Sequence, residues 1–313
     1  GSGAVTAPAL LTIAGGYDNQ AGDGKFLHNQ GTVYFESDSA QGLSGTMTGN
    51  SAFGTTTFLG SGTKTFNATA STTNHFVINS GATVVVHLLL TVGGDFTQSG
   101  FFTDSSGTVY FSSTTNQTIS GTLNTNATNF NAVEFLGSGT KIISNNASTS
   151  ALTIGSGVTL AAPALLTVVG NYTNGGNFEN SGGTVYFSGT PTLSGEMTGS
   201  NDDFNNVEFL GAGTKTFSAN ASTTGTFTIR AGTVDTSGRL MTFNSTYDNQ
   251  SVIATSSATK FYFTGSGNIQ GTLTGAQGSL PNVEILASRT FSANASTSDL
   301  VITSGTLTAP SLL

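Results

Sequence analysis

Short runs of alternating apolar and polar residues, four to five long, recur along the whole chain and are separated by Gly, Ser, Asn and Thr. In Val109-Tyr110-Phe111 the alternation points Val and Phe to one side and Tyr to the other, and Val133-Glu134-Phe135 repeats the rule with Glu outward. This period of two predicts β-strands with one buried face. No segment holds a helical period of 3.6 for more than a few residues, so the chain is expected to be all-β.

The strands belong to a long repeat. Thr32-Val33-Tyr34-Phe35, Thr108-Val109-Tyr110-Phe111, Thr184-Val185-Tyr186-Phe187 and Lys260-Phe261-Tyr262-Phe263 begin 76 residues apart each time. Leu10-Leu11-Thr12 returns as Leu89-Leu90-Thr91, Leu165-Leu166-Thr167 and Leu240-Met241-Thr242, with slips that fit loop insertions. The repeats run 1–79, 80–155, 156–230 and 231–303, with 304–313 opening a further one. No Pro-rich or charged joint divides them, so one continuous solenoid is expected rather than separate domains.

Inside the long repeat, V-x-F segments from Val5 to Leu307 are spaced by about 25 residues, twelve steps over 302 residues. That spacing predicts a parallel β-helix of about 12 coils, three per long repeat. Phe35, Phe58, Phe111, Phe135, Phe187, Phe209, Phe263 and Ile285 are then expected in one internal column. Tyr34, Tyr110, Tyr186 and Tyr262 are expected in one straight outward row, suited to lateral contacts or to stacking on sugar rings.

The phrases Leu89–Thr97, Ser181–Thr190, Phe204–Phe217 and Asn220–Ile229 together resemble the passenger regions of bacterial surface adhesins related to filamentous haemagglutinin and autotransporters. The likeness is one of texture over nearly the whole chain. It implies a right-handed β-helix, secretion, and a role as stalk, fibre or adhesin. Handedness rests on that likeness alone.

Composition narrows the classes of function. Charged residues make up 8% of the chain against 42 Gly, yet 22 Phe and 7 Tyr argue against disorder. A net charge of -8 with eight basic residues leaves no footprint for nucleic acid. No apolar run reaches the ~18 residues that span a bilayer. The absence of Cys excludes disulfides and thiolate chemistry. A first residue of Gly rather than Met is expected of a processed chain or of a slice of a longer array, and stacking of subunits end to end is expected at the uncapped ends.

No constellation carries chemistry, so no catalytic residue, metal or cofactor is assigned. The runner-up to a structural role is a polysaccharide lyase or hydrolase, for which Arg239 with Asp235 and Asp248 is the place to look. Ice binding is a weaker third, because the outward positions mix Tyr, Glu and Thr. His28, His75 and His87 lack metal-ligand spacing, and Asp18 with Asp23 and Asn201-Asp202-Asp203 do not recur between copies. Gly60-Ser61-Gly62 reads as a turn.

Two further recurrent features carry expectations. Asn67, Asn146, Asn220 and Asn294 open sequons that are expected at one equivalent turn, as candidate glycosylation positions, and Asn116, Asn126, Asn171 and Asn244 open others. Their alternative is turn chemistry, in which Asn supplies left-handed backbone. Lys64, Lys141, Lys215 and Arg289 recur after the F-L-G segment and are expected to form exposed cross-coil ion pairs with Glu134, Glu208 and Glu284. Surface glycans or host-cell ligands are the expected partners.

Overall fold

A computed structural model describes residues 3–124 and 129–310, and its chain is an all-β parallel solenoid of stacked coils. Contacts divide it into two units, Gly1–Ala161 and Ala162–Leu313. Among the described residues every strand pairing within the units is parallel.

In the first unit one sheet stacks Leu10–Ile13, Thr32–Glu36, Thr55–Leu59, Phe76–Ile78, Phe96–Gln98, Gln117–Gly121, Gly139–Ile143 and Val158–Ala161. A second stacks Tyr17–Asn19, Gln41–Gly45, Thr63–Phe66, Thr83–Val86 and Phe101–Asp104. A third stacks Ala70–Thr72, Leu89–Val92, Thr108–Phe111, Phe130–Phe135 and Ala147–Ile154. The chain visits the three in turn, and each turn of the path is one coil. The second unit repeats the plan, with three stacks of strands that run through Thr184–Phe187, Thr214–Phe217 and Lys260–Phe263.

The alternation read from the sequence sets the facing. Thr32–Glu36 buries Val33 and Phe35, and Thr108–Phe111 buries Val109 and Phe111. Buried aromatic rings meet edge to face or tilted around Phe53, Phe130 and Phe204, at centroid distances of 5.2–5.8 Å. That geometry sets the positive ring edge against the negative face of its neighbour.

The coil is shorter than the spacing of V-x-F segments suggested. There are about 15 turns in 313 residues, close to 21 residues per turn, rather than 12 of 25. The missed strands are three-residue ones such as Ala70–Thr72 and Phe96–Gln98. Between Leu10 and Leu89 the chain makes the ten strands from Leu10–Ile13 to Thr83–Val86 and a bridge at Met47 paired with Ala70. Eleven strand positions on three sheets fall one short of four full coils. Each long repeat therefore starts one sheet away from the last: Leu10 lies in the first sheet and Leu89 in the third.

This offset overturns the single internal column. Phe35 stacks on Phe58 at 5.5 Å in the first sheet, whereas Phe111 stacks on Phe135 at 5.5 Å in the third. In the second unit Phe187 stacks on Phe209 in one sheet and Phe263 lies against Ile285 in another. The column is a set of short stacks on different faces.

Candidate functional site

The outward tyrosines follow the same offset. Tyr34 stands in the first sheet of its unit and Tyr110 in the third, while Tyr186 and Tyr262 occupy different sheets of theirs. The straight row is therefore wrong. In its place a local group recurs: in register, Thr91, Tyr110, Glu134 and Thr153 lie side by side on consecutive coils, as do Thr167, Tyr186, Glu208 and Thr228. The fourth copy reads Thr242, Tyr262, Glu284, Val301, and in the first copy Tyr34 faces Thr57 instead of Glu.

The recurrent cations are not on the surface. Lys64, Lys141 and Lys215 are fully buried, and Arg289 is 2% exposed. The Lys64 ammonium donates to the carbonyls of Ser37 at 2.9 Å, Gly60 at 3.1 Å, Gly62 at 2.8 Å and Leu59. Lys141 donates to Ser113 at 2.8 Å and Ser138 at 2.5 Å, and Lys215 to Gly211 at 2.6 Å, Gly213 at 3.2 Å and Ala231 at 3.5 Å. The F-L-G-x-G loop thus curls round an ammonium that also reaches a neighbouring coil.

Glycine makes the curl. Gly60 and Gly213 have φ of +72° and +101°, and a Cβ on Gly60 would lie 2.5 Å from the Ser37 carbonyl oxygen. Gly60-Ser61-Gly62 is therefore a turn, as expected, and also a cradle. Burial pushes the pKa of all three lysines below the ordinary value. The signal was present: in Thr63-Lys64-Thr65-Phe66 the lysine has the parity of the buried Phe66. The expected pairs with Glu134, Glu208 and Glu284 do not form. Arg230 pairs with Glu208, and Nδ1 of His75 lies 3.6 Å from Oδ2 of Asp95.

Arg289 solves the same position differently. Its loop is two residues shorter than that of Lys215. The guanidinium reaches the carbonyls of Phe243, at 2.7 Å, and Ser245, and lies 5.1 Å from the Phe263 ring centroid. Burial pushes its pKa down to about 10.

The sequons sit on exposed turns at Asn67, Asn146, Asn220 and Asn294, but not at one position. The amides of Asn67, Ser144, Ser218 and Ser292 play one role, donating to Leu43, Ile119, Leu193 and Ile269 at 2.8–3.0 Å. Asn146, Asn220 and Asn294 come two residues later. None of these asparagines is left-handed; among the described non-glycine residues only Asn29, Gln30 and Ser181 are. The sequon at Asn126 lies outside the described residues.

The scattered acids tie coils together. Asp23 accepts from the Ser51 amide at 3.0 Å and Asn50 at 3.3 Å; Asp202 accepts from Asn174 at 2.9 Å and the Phe178 amide at 3.1 Å; Asp203 accepts from Asn180 at 3.1 Å. Asp18 binds Gln20 locally. Asp104, missed from sequence, accepts from the Gly107 and Asn131 amides at 2.8 and 3.1 Å, with burial raising its pKa against those bonds.

Arg239 is not gathered with Asp235 and Asp248: its Nε donates to the Phe217 carbonyl at 3.1 Å, and the two acids accept from Ser237 and Gln250. His28 accepts from the Gln30 amide and His87 meets the Ser105 hydroxyl. Among the described residues no three His, Asp or Glu gather as a metal site would require. No helix is long and apolar enough to cross a membrane.

Comparison with known proteins finds no match: no family model, no curated protein and no solved structure is similar to this chain.

Proposed function

We propose that this chain is a structural segment of an extracellular surface protein, a filament, stalk or adhesin, acting through cohesion and contact rather than chemistry. One observation carries the reading: the charged side chain that recurs in every repeat is turned inward and bonded across coils, as Lys64 is to Ser37. Repeated cost of that kind serves a scaffold, since an unpaired buried charge is strongly destabilising. The resemblance to surface adhesins supports the same reading. End-to-end self-association, and contact with surface glycans or host-cell ligands, belong to it.

Fractionation and immunogold imaging of the source cells test the proposal. Surface label along fibres is the expected result, and confinement to the cytoplasm would sink it.

A polysaccharide-active enzyme is the second reading. It is favoured by one outward row, Glu208, Thr228 and Asp248 on consecutive coils, with Arg230 paired to Glu208. Depolymerisation of an acidic glycan that is lost in Glu208→Gln would establish it.

A further inference from the structure

A groove of about 740 Å³ crosses the turns that follow Ala70–Thr72, Leu89–Val92 and Thr108–Phe111 in the first unit. Its walls include Thr73, His75, Thr91, Asp95, Thr114 and Asn116, and no Lys or Arg is among them. Hydroxyls and amides dominate, with a single carboxylate.

That carboxylate is held in place. Asp95 Oδ1 accepts from the Thr118 amide at 2.8 Å, and Oδ2 lies 3.6 Å from Nδ1 of His75. The Asp95 amide donates to His75 Nδ1 at 3.2 Å, which puts the imidazole proton on Nε2. Asp95 thus offers a charged acceptor and His75 an outward donor, on neighbouring coils. Thr91, on the groove wall, stands in register between Ser71 and Tyr110, so Tyr110 lies one coil from that wall residue, at roughly 4.8 Å.

We propose that this groove binds a neutral oligosaccharide, with Asp95 and His75 bonding sugar hydroxyls and Tyr110 packing on a ring face. The inference rests on the surface-contact reading and names its ligand class. A phosphate, sulfate or uronate would meet a carboxylate and no cation, which disfavours it. A lipid or apolar peptide would bury hydroxyls and amides without partners. A sugar supplies paired donors and acceptors for such a lining, and aromatic faces suit its C–H surface.

The test is binding of the intact chain to an array of neutral glucans, galactans and N-acetylglucosamine oligomers, with dextran sulfate beside them, followed by titration of the best ligand. Thr114 is exposed, so Thr114→Arg fills the groove without touching the core. Asp95→Asn keeps an acceptor for Thr118 and removes the charge. Each is expected to weaken binding at least about tenfold, roughly the worth of a charge-assisted bond, with melting temperature unchanged. Tyr110→Ala is expected to weaken it severalfold.

Failure of every neutral oligosaccharide to bind, equal binding by Thr114→Arg and Asp95→Asn, or preference for dextran sulfate would overturn the inference. None of these outcomes bears on surface location, which the fractionation decides separately.

Discussion

The third and fourth copies of the repeat, both within Ala162–Leu313, fill the same interior in different ways. In the third, Phe204 sits among Tyr172, Phe178 and Phe187 at 5.6–5.7 Å, and Lys215 is cradled by its own loop. In the fourth, Leu280 stands where Phe204 does, Ile253 where Phe178 does, and Arg289 reaches back to Phe243 and Ser245 from a shortened loop. The coil demands volume and a donor at these positions, and several residues meet the demand.

The largest effect should come from emptying the aromatic cluster. Phe204→Ala removes a 1%-exposed ring from three partners and is expected to cost about 4 kcal/mol of unfolding free energy in a denaturant titration. Phe204→Leu borrows the fourth copy's solution and should cost about 1.5 kcal/mol or less, because volume is nearly kept. Equal losses in the two variants would mean that aromatic contacts, not volume, hold the cluster.

Next comes the cradle. Lys215→Met leaves the Gly211 and Gly213 carbonyls without their donor and is expected to cost about 3 kcal/mol. The pH dependence separates charge from volume. Burial lowers the folded pKa of Lys215, so the unfolded chain binds its proton more tightly. Stability from this group therefore rises as pH climbs from that lowered value toward the ordinary 10.5, and the Met variant should lack the rise. Parallel pH profiles for the two proteins would show that the ammonium is not desolvated.

The two copies also show what could be read in advance. Strand alternation, the all-β class and the facing of Val185, Phe187 and Glu208 follow from a period of two, a local property. The coil count does not, because stacking partners are non-local: a phrase that returns after eleven strand positions looks the same as one that returns after nine. Lys215 was misplaced because a rule about charge overrode parity, although Thr214-Lys215-Thr216-Phe217 puts the lysine on the side of a buried Phe. The His75–Asp95 groove was illegible for the first reason, since its walls come from successive coils.

Arg289→Lys tests whether the fourth copy can accept the third's cation. The shorter side chain cannot span to both Phe243 and Ser245, and the loop lacks the Gly211-Ala212-Gly213 curl, so a loss of about 2 kcal/mol is expected by denaturant titration. Inserting two glycine-containing residues into the loop should restore part of it. An Arg289→Lys protein as stable as the parent would show that the guanidinium fork is not needed.

The smallest effect has the opposite sign. The Tyr172 and Tyr247 side chains are fully buried in the second unit, and neither hydroxyl has a hydrogen-bond partner among the described residues. Burial raises both pKa values well above the ordinary tyrosine value, which favours the neutral hydroxyl. An unpartnered buried hydroxyl costs free energy that a phenyl ring does not. Phe96 holds the corresponding place in the second copy, packed against Phe102, Phe111 and Phe130, so the coil accepts Phe there. Tyr247→Phe should therefore raise stability by about 1 kcal/mol, and Tyr172→Phe by a similar amount. The two rings share no aromatic partner, so the gains should add. A loss in one variant alone would reveal a partner for that hydroxyl and would set the third and fourth copies apart at a place where both now bury an unpartnered hydroxyl.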